Sequence, residues 1–256
     1  MIYDVESPKR IKKERLDVLL VERGFFETRS KALAAVMAGQ VRVDDAVITK
    51  AGTLVLKSAL IEISLPCPYV SRGGFKLEAA LQAFHIDVAG KIALDVGAST
   101  GGFTDCLLQR GAKKVYALDV GHGQIAQKIM DDLRVVVYEK INARFLNPGE
   151  FSPRPSLAVI DVSFISLTQV LKPVSDCLEE PSEIVALIKP QFEVGPKLAP
   201  KGIVRTEEAR QIAISKIRNF LPSVGLKECG MIESPISGAK GNREFLIYLK
   251  KSENKA

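Results

Sequence analysis

The sequence of 256 residues contains no tryptophan, only two histidines and only four cysteines. None of the cysteines stands in a C-x-x-C pair, so the chain lacks the ligand spacing of a structural zinc site, and no bound metal is expected. We expect the four thiols to be reduced and mostly buried; they belong to Cys67, Cys106, Cys177 and Cys229.

Long hydrophobic runs are also missing, because no apolar stretch approaches the roughly 18 residues that a membrane-spanning helix needs. The N-terminal stretch MIYDVESPKRIKKER carries basic side chains but no apolar segment after them, unlike a secretory signal. Hydrophobic residues make up 46% of the chain and charged residues 26%, the balance of a soluble globular protein. We therefore expect a cytoplasmic protein without stable membrane insertion, and the sequence specifies no oligomeric state.

The chain divides into two regions with different patterns. In the first, two short helical patterns, RLDVLLVERG and SKALAAVMAG, end at Gly24 and Gly39 and precede the strand patterns VRVDDAVI and LIEISL. The stretch PCPYV then suits an extended linker, because it holds two prolines a residue apart. We expect a small α+β domain, a linker, a large domain and a short tail, at residues 1–65, 66–70, 71–250 and 251–256.

Beyond the linker, strand and helix patterns alternate from IALDV to FLIYLK. This alternation predicts an α/β fold with a doubly wound, mostly parallel sheet. Four of the apolar runs end in a charged residue: Asp95, Asp119, Asp161 and Lys189. Parallel strands end at one edge of a sheet, and open α/β sheets bind ligands beyond those ends. We therefore expect these four residues at a common site.

A glycine-rich loop follows the first of these strands. Gly97, Gly101 and Gly102 form G-x-x-x-G-G, which differs from the G-x-G-x-x-G of dinucleotide-binding proteins and from a phosphate-binding loop ending in G-K-[ST]. The next helix offers free N–H groups, and Asp119 lies 17 residues beyond Gly102, near the spacing of acids that bind ribose hydroxyls. This pattern disfavours a nicotinamide dehydrogenase and fits a ribose-bearing cofactor such as S-adenosylmethionine.

Two further charged residues are expected at the same site. Lys76 shares the apolar face of a helix that starts near Gly74, and Glu244 reaches the same edge when the last strand, FLIYL, runs antiparallel. Methyl transfer to an alcohol requires removal of the hydroxyl proton. A lysine serves as the base for this step when a second cation and partial burial lower the pKa of its amine. Lys189 is the candidate base, and Lys76 is the alternative.

The large region resembles the FtsJ/RrmJ-like ribose 2′-O-methyltransferases, whose K-D-K-E tetrad matches Lys76, Asp161, Lys189 and Glu244. The small region resembles an S4 RNA-binding domain through RLDVLLVERG and TRSKALAAVMAGQVRV. Together, over about residues 12–250, they resemble the TlyA family, through SRGGFKL, LDVGASTGGFTD, DVSFISL, IKPQFE and GNREF.

This resemblance implies a Rossmann-like methyltransferase sheet with a small N-terminal α+β S4-like domain. It also implies S-adenosylmethionine-dependent 2′-O-methylation of cytidine in ribosomal RNA, without naming the nucleotide or the subunit. The residues expected to bind the cofactor surround the glycine loop and the ends of the next two strand patterns. They are Asp95, Gly97, Ala98, Ser99, Gly101, Gly102, Asp119 and Asn142.

The expected partner is ribosomal RNA or a ribosomal subunit. The small region is only weakly basic overall, with 11 Lys and Arg against 9 Asp and Glu in residues 1–65, but its basic residues cluster. Such a cluster follows an RNA backbone and recognises folded RNA by shape. The residues expected to contact RNA are Arg10, Lys12, Lys13, Arg15, Arg29 and Lys31, continued beside the catalytic residues by Arg72 and Arg243.

Two other functions compete with the enzyme. A noncatalytic protein that binds RNA or ribosomes through a retained methyltransferase fold is disfavoured because the tetrad is complete. A membrane-lytic protein, suggested by the name hemolysin in the resembling family, is disfavoured because the sequence offers neither a membrane helix nor a long alternating pattern of barrel strands.

Overall fold

A computed structural model describes residues 12–37, 39–63 and 67–251. The chain separates into two compact units, Met1–Pro68 and Tyr69–Ala256. Tyr69 and Val70, which the sequence analysis placed in the linker, belong to the second unit, because both pack against one of its hydrophobic clusters. The predicted RNA contact Arg10 and the tail after Lys251 lie outside the described residues.

The described residues of the first unit form two helices and five short strands. The helices are α1 (Leu16–Glu22) and α2 (Arg29–Met37), and the strands are β1 (Lys13–Arg15), β2 (Val41–Val43), β3 (Ala46–Val47), β4 (Leu54–Leu56) and β5 (Ile61–Ile63). Strands β3, β2 and β5 form one antiparallel sheet, and β1 pairs antiparallel with β4. Asp44 and Asp45 have φ values of 46° and 66°, and these left-handed residues close the β2–β3 hairpin with a tight turn.

The core of the first unit is built from the apolar faces of both helices. Leu16, Leu20, Val36 and Val41 are buried in one cluster with the inward residues of the strands. Strands β1 and β4 were not predicted from the sequence, because three-residue strands are too short to show an alternating pattern.

The second unit is a doubly wound seven-stranded sheet, which confirms the predicted fold class. The strands are β6 (Ile92–Val96), β7 (Lys114–Leu118), β8 (Val135–Tyr138), β9 (Leu157–Ile160), β10 (Ser182–Ile188), β11 (Leu226–Glu233) and β12 (Phe245–Lys251). Their order is β11-β12-β10-β9-β6-β7-β8. The five strands from β10 to β8 run parallel, whereas β12 is antiparallel to β10 and β11 is antiparallel to β12.

The helices of this unit are α3 (Gly73–Ala83), α4 (Gly102–Gln109), α5 (Gln127–Met130), α6 (Leu171–Cys177), α7 (Pro190–Glu193) and α8 (Glu207–Phe220). Helix α5 covers only four residues of the stretch QIAQKIMDDL. It ends before Asp131 and Asp132, and the Asp132 carboxylate accepts a hydrogen bond from the Arg134 backbone N–H, a local contact that competes with helix.

Hydrophobic clusters cover both faces of the sheet, as a doubly wound fold requires. Neighbouring residues of one strand belong to different clusters: Leu94 and Ile184 lie on one face, Ala93 and Val185 on the other. Two of the four free thiols, those of Cys106 and Cys177, are buried as expected. Those of Cys67 and Cys229 are exposed, since Cys67 lies outside any helix or strand and Cys229 lies in the irregular edge strand β11.

Candidate active site

The carboxyl ends of the parallel strands bring three of the four predicted charged residues to one edge. Asp119 follows β7, Asp161 follows β9 and Lys189 follows β10, so three parallel strands deliver them to the same edge of the sheet. Asp95 differs, because β6 continues to Val96 and the Asp95 side chain is buried inside the sheet. One Asp95 oxygen accepts a hydrogen bond from Thr104 Oγ1 of α4 at 2.6 Å.

Burial raises the pKa of Asp95 to about 7, and the negative charges of Asp161 and Asp119 add to this shift. Its other carboxylate oxygen has no hydrogen-bond partner among the described residues. Asp95 therefore supports the glycine loop from behind, by joining β6 to the first turn of α4.

The glycine loop passes very close to the end of β9. Gly97 has a φ of 88°, and a Cβ there would lie 2.6 Å from the Asp161 carbonyl oxygen. Gly101, at the start of α4, has a φ of 94°, and a Cβ there would lie 2.9 Å from Ile129. Since L-residues rarely adopt such φ values, both glycines are required by the backbone and by the space beside it.

Asp119 anchors the same loop through its side chain. One carboxylate oxygen accepts a hydrogen bond from the Ser99 backbone N–H and the other from the Gly121 N–H, each at 2.7 Å. An ionised carboxylate accepts about four hydrogen bonds, so both oxygens retain capacity for a ligand.

Two cavities meet at this loop. The larger has a volume of about 560 Å³, and four predicted cofactor-binding residues line it: Gly97, Ser99, Asp119 and Asn142. The smaller has a volume of about 300 Å³ and is lined by Lys76, Arg72 and the loop residues Ala98 and Gly102, among others. Gly97, Ser99 and Asp161 belong to both walls. Of the predicted cofactor residues, Asp95 and Gly101 line neither of these two cavities.

Asn142 reaches the larger cavity from a short turn and not from a strand end. Strand β8 ends at Tyr138, and Asn142 caps the 3-10 turn Ala143–Phe145. Its side-chain oxygen accepts a hydrogen bond from the Arg144 backbone N–H at 3.1 Å. This contact fixes the turn whose first residues line the cavity wall.

The four residues of the K-D-K-E pattern form two ion pairs. Lys76 Nζ lies 2.6 Å from Glu244 Oε2, and Lys189 Nζ lies 2.6 Å from Asp161 Oδ1. The side chains are largely buried, from 2% exposed for Glu244 to 21% for Asp161. Lys76 and Asp161 lie on the wall of the smaller cavity, so the pattern forms one charged cluster beside it.

The antiparallel direction of β12 explains how Glu244 enters this cluster. Ile188 of β10 is the register partner of Phe245 of β12, so Lys189 and Glu244 lie at the same edge. A Cβ at Gly238 would lie 1.8 Å from a Glu244 oxygen, so the preceding loop also leaves space for the carboxylate.

Two residues of the site were not identified from the sequence. Ser163 lies on the wall of the larger cavity, and its hydroxyl accepts a hydrogen bond from Lys189 Nζ at 2.8 Å. Gln191 donates a long hydrogen bond of 3.4 Å to Glu244. Each lies two residues beyond a member of the tetrad, inside the motif DVSFISL or IKPQFE, and these motifs are the signal that could have identified them.

The predicted RNA contacts of the first unit include two arginines that share one carboxylate. Arg15 Nε lies 3.0 Å from Asp17, and Arg29 Nη2 lies 2.7 Å from it. These arginines hold the pKa of the buried Asp17 well below its usual range, since their hydrogen bonds outweigh the cost of burial. Both guanidinium groups remain substantially exposed, as are Lys12, Lys13 and Lys31.

The two predicted RNA contacts of the second unit have different surroundings. Arg72 is exposed and lines the smaller cavity. Arg243 pairs with Glu233, donating from Nε at 2.6 Å, and lies 3.4 Å from Glu207. Its guanidinium therefore joins β11 and α8 beside Glu244. Within the described part of the chain, no helix combines the length and apolar character that crossing a membrane requires.

Comparisons with known proteins agree with this architecture. Residues 69–251 match the model of the FtsJ-like methyltransferase family, and residues 14–61 match the S4 domain. The chain is 47% identical to the provisionally named rRNA methyltransferase YqxC of Bacillus subtilis (strain 168), over 93% of this chain and 86% of that protein.

It is 40% identical to the 16S/23S rRNA (cytidine-2'-O)-methyltransferase TlyA of Mycobacterium tuberculosis, over 96% of this chain and 92% of that protein. Among solved structures, a provisionally named hemolysin from Streptococcus thermophilus matches with a TM-score of 0.74 and 42% identity, covering 95% of this chain and 90% of that chain.

Proposed function

This chain belongs to the FtsJ-like methyltransferase family, and we propose that it transfers a methyl group from S-adenosylmethionine to the ribose 2′-hydroxyl of a cytidine in ribosomal RNA. The observation that carries the proposal is the paired tetrad of Lys76, Asp161, Lys189 and Glu244 at the junction of two cavities. Such an enzyme meets its substrate in the cytoplasm, where ribosomes are assembled.

The larger cavity has the chemistry to hold a nucleoside-bearing cofactor. Its volume suits a ligand of drug-like size, and the Asp119 carboxylate on its wall retains acceptor capacity for ribose hydroxyls. The G-x-x-x-G-G loop brings backbone close to the ligand without a lysine for phosphates. S-adenosylmethionine, when bound, supplies an electrophilic methyl group.

The smaller cavity supplies the groups that the acceptor hydroxyl needs. Lys76 and Asp161 line it, and Lys189 Nζ lies 2.6 Å from Asp161 Oδ1. During transfer the O–CH₃ bond forms as the S–CH₃ bond breaks, and the hydroxyl proton passes to a neutral lysine amine. Lys189 is our candidate for that base and Lys76 the alternative, while Asp161 and Glu244 hold the two lysines in place.

The first unit would supply affinity for RNA. Arg15 and Arg29 expose guanidinium groups that Asp17 holds near each other, and this arrangement suits contacts with neighbouring phosphates. Such contacts position folded RNA without reading its sequence. We expect the second unit's exposed Arg72 to add a contact beside the acceptor cavity.

The test uses methyl-labelled S-adenosylmethionine and unmodified small and large ribosomal subunits, assayed separately. We expect label at a single nucleotide whose 3′ linkage resists alkaline hydrolysis, because a 2′-O-methyl group removes the nucleophile of that cleavage. Label on a base, or on protein, would contradict the proposal. Cofactor binding without label in either subunit would favour the noncatalytic RNA-binding protein.

A further inference from the structure

Two segments that leave neighbouring parallel strands run side by side at the active site. Residues 161–167 follow β9 and residues 189–193 follow β10, and the two strands pair directly. The first segment supplies much of the wall of the larger cavity, from Asp161 to Ile165. The second begins with Lys189 and forms the single turn of α7. We call them the wall segment and the lysine segment.

The wall segment and the lysine segment are joined at three levels. At the first, Lys189 contacts both Asp161 and Ser163. At the second, the Phe164 and Phe192 rings pack with centroids 5.1 Å apart. The third level, four residues beyond Lys189, is formed by Glu193.

Glu193 binds the far end of the wall segment through both carboxylate oxygens. One accepts a hydrogen bond from the Leu167 backbone N–H at 2.8 Å, and the other accepts one from Ser166 Oγ at 2.5 Å. Both hydrogen bonds are buried. The Glu193 carboxylate therefore forms a bridge between the two segments and fixes the backbone of the wall segment directly.

The Glu193 side chain is only 1% exposed, so its charge requires compensation. Lys216 of α8 supplies it, with Nζ at 3.0 Å from the carboxylate, from Ser166 Oγ and from the Glu193 carbonyl oxygen. Buried carboxylates bonded by backbone and side-chain donors hold their partners rigidly. Glu193 lines neither of the two cavities, so its contacts point to an indirect role.

We propose that Glu193 is a positioning residue, which sets the wall segment against the lysine segment and thereby aligns Asp161 with Lys189. This inference rests on the proposed methyl transfer for its catalytic consequence, but the structural part can be measured separately. Glu193 and Lys216 are outside the predicted tetrad. Glu193 ends the motif IKPQFE, but neither residue was assigned a role from the sequence.

The test compares Glu193→Gln with Glu208→Gln, which removes the same charge from an exposed position on α8. Glutamine offers one acceptor oxygen and turns an amide donor toward Lys216 or Ser166. The contacts by which residue 193 joins the two segments are therefore broken. In Glu193→Gln we expect amide hydrogen exchange across residues 161–170 to accelerate about tenfold, with the rest of the sheet unchanged. We expect kcat to fall about 10- to 100-fold, while KM for RNA changes little.

Two results would overturn the inference: unchanged exchange across residues 161–170, or faster exchange there with an unchanged kcat. Should Glu193→Gln fail to fold, Lys216→Met reports on the same bridge, and Lys216→Arg, which keeps the charge, should restore most of the lost rate. Wild-type protein that methylates no RNA would contradict the proposed function instead, and the exchange comparison would still decide whether Glu193 holds the wall segment.

Discussion

Lys76 Nζ and Glu244 Oε2 lie 2.6 Å apart, although 168 positions separate the two residues in the sequence. The contact joins the first helix of the second unit to the start of the last strand of the sheet. The contact completes the tetrad at this edge of the sheet, because β12 runs antiparallel to β10 and brings Glu244 to the same edge as Lys189.

Replacing Glu244 with glutamine should destabilise the protein, because it leaves the Lys76 charge, 12% exposed, without its partner. Removing one member of a buried pair costs about 3–5 kcal/mol. Urea unfolding measures the loss. The double variant Lys76→Met with Glu244→Gln should recover at least half of it, whereas additive losses would show that the two side chains do not interact.

Alanine at Gly97 should abolish most cofactor binding, because its Cβ would collide with the Asp161 carbonyl oxygen at 2.6 Å and its φ is 88°. Calorimetry with S-adenosylmethionine measures the effect, which we expect to exceed about tenfold in Kd. Gly90→Ala is the matched control, since Gly90 has a φ of 71° but a Cβ there would meet no atom of the described residues within 4 Å. It should lose about 1 kcal/mol of stability and keep its cofactor affinity. Equal affinities in both variants would contradict the proposed cofactor site.

Neutralising Arg15 or Arg29 should weaken RNA binding and reduce its salt dependence. Each arginine replaced by glutamine should lower the slope of log K against log salt by about 1, because one phosphate contact is lost. Arg42→Gln, on β2, serves as the control because Arg42 is similarly exposed. Filter binding of ribosomal RNA at several salt concentrations measures the slopes. A wild-type slope in both arginine variants would show that Arg15 and Arg29 do not contact the RNA.

The buried Asp95 should make stability depend on pH. Its pKa rises from 3.8 in the unfolded chain to about 7 in the folded protein, so the folded state binds more protons between these values. The contribution of Asp95 to stability is therefore greatest at low pH and falls by about 1.4 kcal/mol per pH unit as the pH rises through this window.

The Asp95→Asn variant keeps an acceptor for Thr104 and cannot ionise. Its stability relative to wild type should increase as the pH rises from about 4 to 7 and level off above that. Chemical unfolding at a series of pH values tests this. A constant difference across the window would mean that Asp95 keeps an ordinary pKa.

The sequence predicted the sheet because parallel buried strands appear as continuous apolar runs separated by helical patterns. The position of Asp95 was misjudged because β6 extends one residue further, which places Asp95 inside the strand and buries its side chain. Strand β11 was missed because it contains Lys227, Glu228, Gly230 and a bulge, which hide its alternation.

Long-range contacts were predictable only where a motif marked both partners. The convergence of Lys76 and Glu244 followed from an assumed strand direction, which the structure bears out. The bridge from Glu193 to Lys216 was not predictable, because it depends on how α8 packs and on the path of a loop. The motif IKPQFE includes Glu193, but none of the quoted motifs includes Lys216.

The most direct test of the catalytic tetrad is the single-turnover rate of RNA methylation in three lysine variants whose cofactor affinity is shown to be unchanged. Lys76→Met and Lys189→Met should each lose at least about 100-fold in rate, because each removes a group that handles the hydroxyl proton or its charge. Lys172→Met is the control, since Lys172 is exposed on α6 and pairs with Asp176. It should retain the wild-type rate, whereas wild-type rates in Lys76→Met and Lys189→Met would contradict the assignment of this site as the centre of methyl transfer.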